Sequence, residues 1–279
     1  MAENTRKEIH DLGEFGLIDH LTKNFEIKQT STMFGVGDDA AVIKNGDEMT
    51  VISTDMMVED IHFSLVYTPM KHLGYKAIIS NLSDIYAMNA VPHQVTVSIA
   101  ISNRFSVEAL EGFYEGIQAA CDHYKVDLIG GDTTSSNKGM IISVTAIGTA
   151  SQDELVFRSG AKPGDIMCVS GDLGAAYLGL QILERERQLY ESHPGVQPEL
   201  DDQKYLISRQ LKPEARGDVI DNFRKYKLKP TAMIDISDGL SSEVFHICQS
   251  SNVGAFIDCL LYTSPSPRDQ RGSRMPSSA

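Results

Sequence analysis

The chain has 279 residues, of which 42% are hydrophobic and 23% charged, with 22 glycines. That is enough for a sizeable core and one or two domains, and it excludes a disordered, collagen-like or coiled-coil chain. Lys+Arg 25 against Asp+Glu 38 gives a formal charge of −13, which argues against a general electrostatic grip on nucleic acid or anionic membrane.

In chain order, residues 13–25 read as a short amphipathic helix with Phe15, Ile18 and Leu21 on one side. Strand patterns follow at 40–43 and 49–54, separated by the turn Asn45-Gly46-Asp47. Residues 75–89 are helical, with Ile78, Leu82 and Ile85 in one stripe. At 95–101, Val95, Val97, Ile99 and Ile101 alternate with Thr96, Ser98 and Ala100, the signature of a half-buried strand. A helix is expected over 106–124, a short strand over 126–129 and another over 140–149. The pattern then restarts: strand 166–170, helix 173–186 (Leu173, Ala176, Tyr177, Leu180 and Leu183 as a core stripe), polar loop 191–202, helices 203–211 and 215–226, strand 232–236 and helix 240–250. No internal repeat of fixed period is present.

Residues 259–279 break the periodicity, with Ser264-Pro265-Ser266-Pro267-Arg268 and Arg274-Met275-Pro276-Ser277-Ser278. Such composition does not pack. The segment resembles translated cloning or sequencing-adapter sequence and is read as a foreign, unstructured tail, with 253–258 before it as a strand cut off on entering a core. Without the tail's three arginines and one aspartate the remainder carries −15, so the acidity is not a tail effect. The expected division is an N-terminal α+β domain over 1–149, a truncated C-terminal α/β domain over 150–258 and the tail over 259–279.

Cys121, Cys168, Cys248 and Cys259 are scattered without a Cys-x-x-Cys pair, and the eight histidines form no His-x-x-x-His. Neither a disulfide framework nor a zinc site is indicated, and the first three cysteines, set in apolar patterns, read as core. With no signal core and no run of about 18 apolar residues, the expectation is a soluble cytoplasmic protein.

No Gly-x-x-x-x-Gly-Lys-Ser/Thr occurs, which excludes an ordinary P-loop. Gly35-Val36-Gly37-Asp38-Asp39-Ala40 matches the letters of a dinucleotide fingerprint. A strand rather than a helix follows, however, and two carboxylates stand where pyrophosphate would sit. Aspartates recur at element ends: Asp39, Asp55, Asp132, Asp235 and Asp238. Asp84 is the one Asp, Glu, Lys or Arg between Lys76 and Arg104, on an apolar helix with Asn81 on the same face. A carboxylate there needs a partner or a metal, and grouped carboxylates suit hard cations such as Mg²⁺.

At Gly35-Val36-Gly37-Asp38-Asp39-Ala40-Ala41, Ser53-Thr54-Asp55, Asn81-Leu82-Ser83-Asp84, Leu128-Ile129-Gly130-Gly131-Asp132-Thr133-Thr134, Arg158-Ser159-Gly160-Ala161-Lys162-Pro163-Gly164-Asp165 and Ile234-Asp235-Ile236-Ser237-Asp238-Gly239-Leu240 the sequence resembles the thiamine-monophosphate kinase family of the aminoimidazole ribonucleotide synthetase-like superfamily. The resemblance spans 13–258. It implies an α+β, two-domain architecture whose N-terminal sheet pairs with that of a second subunit, making a homodimer. It implies ATP and several Mg²⁺ ions at the domain junction, with thiamine monophosphate as acceptor.

Position by position, the resemblance puts metal ligation on Asp39, Ser53, Thr54, Asp55, Asp84, Asp132, Asp235 and Asp238. It puts nucleotide contacts on Tyr114, Gly131, Asp132, Arg158 and Ser237, and a substrate contact on His62. No catalytic residue is expected beyond those that position metal and phosphate. The alternatives are another ATP-dependent synthetase of the superfamily, or an inactive Mg·ATP-binding fragment.

Overall fold

The computed structural model describes residues 12–193 and 200–257; the tail assigned to 259–279, with Cys259, lies outside them. The elements are α1 (Gly13–Thr22), β1 (Thr32–Phe34), β2 (Ala41–Asn45), β3 (Glu48–Val58), α2 (Met70–Ala87), β4 (Val91–Ile101), α3 (Val107–Tyr124), β5 (Asp127–Ser135), β6 (Ile141–Ser151), α4 (Ala175–Ser192), α5 (Lys204–Leu211), α6 (Gly217–Tyr226) and α7 (Leu240–Ser251). All six strands form one sheet in the order β1-β2-β3-β6-β4-β5. Its pairs are antiparallel except β4 with β5, which the α3 crossover makes parallel.

Alternation builds the core. Alternating residues are buried along β6 and over most of β3 and β4, among them Val51 and Ser53, Val95 and Val97, Val144 and Ala146. These meet Leu73, Ile78, Leu82 and Ile85 of α2, with Phe113 and Ile117 of α3 behind. The two helices lie backbone to backbone: a side chain at Gly74 would begin 2.0 Å from the carbonyl oxygen of Phe113, and one at Gly116 1.9 Å from that of Lys71. Ser106 caps α3 by accepting the Ala109 N–H at 3.3 Å.

Several expectations are corrected. β5 continues from the apolar residues through Gly130-Gly131-Asp132-Thr133-Thr134 and is exposed along its whole length, held by its ladder to β4 rather than by burial. Its close approach explains Gly131, where a Cβ would fall 1.7 Å from the Val97 carbonyl oxygen. Residues 166–170, 232–236 and 253–257 form no strand. They find no ladder partner among the described residues, and Ile166 and Phe256 are 89% and 90% exposed. On α4 the buried positions are Ala175, Gly179 and Leu183, while Leu173 and Tyr177 face solvent. Helix α4 also runs to Ser192, into the expected loop. Cys168 is exposed rather than core, whereas Cys121 is buried. Phe15, Ile18 and Leu21 of α1 are exposed.

Candidate metal and nucleotide site

Four separate elements bring the acidic residues together. Asp39 ends the turn before β2, Ser53 and Asp55 lie on one face of β3, Asp84 is in the last turn of α2, and Asp235 is in the segment leading to α7. Carboxylate oxygens of Asp39, Asp84 and Asp235 all lie within 4.8 Å of one another, the one such metal-competent grouping among the described residues.

Hydroxyls and amides orient the group. Ser53 Oγ donates to Asp84 Oδ2 at 2.5 Å, and Ser83 Oγ donates to Asp235 Oδ2 at 2.7 Å. Consecutive residues Ser83 and Asp84 of α2 thus reach two different elements. Asn81, 1% exposed, accepts the Asp55 backbone N–H at 3.1 Å and donates to Ala77 O. Arg158 Nη2 and Nε both donate to Asp39 Oδ1, at 2.5 and 3.2 Å. The Asp39 side chain is only 1% exposed, so this is a buried ion pair. Its other oxygen, Oδ2, is buried with no hydrogen-bond partner among the described residues. Asp38 accepts the N–H of Asp39 at 3.0 Å and of Arg158 at 3.0 Å, tying the glycine turn to the irregular segment that follows β6.

Burial, more than crowding, sets the protonation. Burial, reinforced by Asp235 and Asp55, pushes the Asp84 carboxyl up to about 9 against the opposing bond from Ser53. Burial raises Asp39 to about 6 despite Arg158, and raises Asp235 to about 6, with the Asp39 charge adding to it. Three carboxylates this close repel one another; a divalent cation among them relieves the repulsion and supplies the partner that Asp39 Oδ2 lacks. All donors are hard oxygens, which suits magnesium.

The other expected positions are distributed differently. Thr54 points to the opposite sheet face, where its hydroxyl meets Val144 O and Thr145. Asp132 is exposed on β5, outside the aspartate trio, but shares a groove with Tyr114 and Gly131, lined also by Val97, Leu128 and Thr133. Ser237 and Asp238 are exposed in the turn before α7. His62, exposed in the loop after β3, accepts the Val58 N–H on Nδ1 at 3.0 Å.

Three site residues escaped the sequence reading. Ser83 sat inside a quoted motif, its signal a hydroxyl on an apolar helix. Glu243, 4% exposed, accepts the N–H groups of Asp238 and Gly239 at 3.1 and 3.0 Å; an acid in a first helical turn was its only sign. Ser251 at the far end of α7 donates to Arg158 O and accepts from the N–H groups of Gly160 and Ala161, each at 3.1 Å.

The family described as AIR synthase related protein, N-terminal domain, matches residues 37–150. The chain is 36% identical to the thiamine-monophosphate kinase of Bacillus subtilis (strain 168) over 247 residues, 87% of this chain and 72% of that protein. It is 36% identical to that of Aquifex aeolicus (strain VF5) over 245 residues, 88% and 73% of the two chains. Among solved structures it is similar to AaThiL complexed with AMPPCP and TMP, with a TM-score of 0.77 and 33% identity over 89% of this chain and 74% of that one.

Proposed function

Because the chain belongs to the thiamine-monophosphate kinase family, we propose that Asp39, Asp84 and Asp235, with Asp55 beside them, hold the magnesium ions of its phosphoryl-transfer site. The chain is a phosphotransferase: it moves the γ-phosphoryl group of ATP onto the phosphate of thiamine monophosphate, giving thiamine diphosphate and ADP. The observation that carries the metal assignment is Asp39 Oδ2, buried and unpartnered among the described residues where three carboxylates converge.

The acceptor phosphate has a second pKa near ~6 and is largely a dianion at neutral pH, so the reaction needs no protein base. What must be overcome is repulsion between two polyanions held in line. Magnesium, when bound, supplies the neutralising charge. The residues do the placing. Ser53 and Ser83 fix the Asp84 and Asp235 carboxylates, and Asp38 and Ser251 fix the backbone at Arg158, whose forked donors suit a phosphate. Tyr114, Gly131, Asp132 and Ser237 take the nucleotide, and Asp238 adds a metal ligand. His62 Nε2 takes the acceptor.

The proposal extends to the assembly and setting. The edge strand β5, with Leu128 and Ile129 42% and 57% exposed, and the half-open sheet face opposite α2 support a homodimer built on this sheet. No helix among the described residues is long and apolar enough to cross a membrane, and free Cys121, Cys168 and Cys248 fit a reducing cytoplasm. The proposed division near residue 150 is supported by the absence of strands after β6 among the described residues.

The test is a coupled assay of ADP formation by the purified chain with Mg·ATP. Thiamine monophosphate is the expected acceptor, with thiamine diphosphate as product. Turnover with aminoimidazole precursors instead would overturn the assignment.

A further inference from the structure

We propose that Glu243 is a positioning residue of this reaction, its carboxylate holding the turn that bears Asp235, Ser237 and Asp238 in the geometry that receives the divalent cation and the nucleotide. The inference rests on the function proposed above and concerns a residue that contacts neither substrate.

Glu243 is buried, at 4% exposure, and unlike the buried carboxylate of Asp39 it has no guanidinium or ammonium beside it among the described residues. Both of its oxygens are committed to the turn, to the N–H of Asp238 at 3.1 Å and of Gly239 at 3.0 Å. No ion pair among the described residues includes it. Burying a carboxylate without a cation is costly, and a helix start is served as well by a serine or asparagine cap. A charged group at this place therefore does more than close the helix.

Two observations say what it does. The turn it grips connects Asp235, a member of the aspartate trio, to α7, and the exposed side chains of Ser237 and Asp238 in that turn make no bond among the described residues that would fix them. At its other end α7 holds the Arg158 segment through Ser251. One helix thus sets both the turn with Ser237 and the segment with Arg158.

Glu243→Gln keeps the shape and one acceptor, removes the charge, and turns an amide N–H₂ toward one of the two N–H donors. The measurements are Mn²⁺ affinity of the metal-free full chain by electron paramagnetic resonance, then the KM of ATP and of thiamine monophosphate separately. Outer partners of metal ligands typically carry about 10- to 100-fold in metal affinity. Accordingly, Mn²⁺ binding weakens at least about tenfold and the ATP KM rises by a similar factor, while the KM of thiamine monophosphate stays within about twofold.

Reversible unfolding would raise the apparent Mn²⁺ dissociation constant and the KM of both substrates by the same factor, so a rise confined to Mn²⁺ and ATP separates positioning from mere stability. Unchanged Mn²⁺ affinity and ATP KM with a lowered Tm would make Glu243 a helix cap only and overturn the proposal. If the Gln variant does not fold, Glu243→Asp retains the charge but withdraws it from the turn. That variant must still lose affinity by a few-fold, on the order of threefold or more, and wild-type affinity would be the contrary result. If the unsubstituted chain binds no Mn²⁺, the metal assignment itself fails, which is a different outcome from a silent Glu243 substitution.

Discussion

Asp84→Asn should separate function from stability in an unusual direction. In the unfolded chain this carboxyl ionises near its ordinary value of 3.8, and in the folded metal-free protein near 9. Between those values the folded state binds the extra proton, so stability falls as pH rises through that window, by about 1.4 kcal/mol per unit, and levels off above the folded value. Asp39 and Asp235, raised only to about 6, have exhausted their own contribution by then. From pH 6.5 to 8.5 the wild-type chain therefore loses about 3 kcal/mol through Asp84.

An asparagine is nearly the same shape as the protonated acid and does not ionise, so the variant lacks this loss. At pH 6.5, with chelator present, the two proteins melt together. At pH 8.5 the variant is more stable by about 3 kcal/mol, roughly 6–12 °C in Tm, yet it binds no Mg²⁺ and turns over no substrate. Urea denaturation and calorimetry at the two pH values decide it. A variant less stable than wild type at pH 8.5, or a difference that does not grow with pH, would refute the reasoning.

Arg158→Gln strips the buried Asp39 carboxylate of its cation. Thermal melting should show the metal-free chain weakened by about 3 kcal/mol, and Mn²⁺ titration without nucleotide should show tighter binding, because the guanidinium no longer competes for Asp39 Oδ1. Ser83→Ala removes the donor on Asp235 and should weaken Mn²⁺ binding about tenfold or more, with stability lowered by about 1 kcal/mol, read by the same titration and by urea denaturation. Gly131→Ala drives a methyl into the Val97 carbonyl and should part β5 from β4; hydrogen exchange over 127–135 should rise sharply, and ATP binding by calorimetry should be lost.

Much of this site was legible in the residues because its chemistry is local. Asp84 stood out as a lone charge in an apolar stretch, and the folded chain places it where that charge is hardest to keep. Asp39, Asp55 and Asp235 were visible as acids at element ends. Their convergence depends on how α2 crosses the sheet, which no spacing encodes.

The misreadings have physical causes. β5 was cut short because glycines and polar residues carry no strand periodicity, although backbone pairing with β4 needs none. The segments 166–170, 232–236 and 253–257 have strand composition, but a strand also needs a neighbour. Of the expected core stripe on α4 only Leu183 is buried; the helix otherwise packs through the small residues Ala175 and Gly179, which leaves Tyr177 and Leu173 to solvent. Glu243 was unreadable because an acid in the first turn of a helix is ordinarily solvated, and only its burial marks it out.

The metal assignment is tested most directly by anomalous diffraction from crystals of the chain grown with Mn²⁺ and a non-hydrolysable ATP analogue. The expected result is an anomalous peak bonded to carboxylate oxygens of Asp39, Asp84 and Asp235, with the analogue's phosphates beside it. Analogue bound with no peak among those three side chains, or with the manganese elsewhere, would contradict the account.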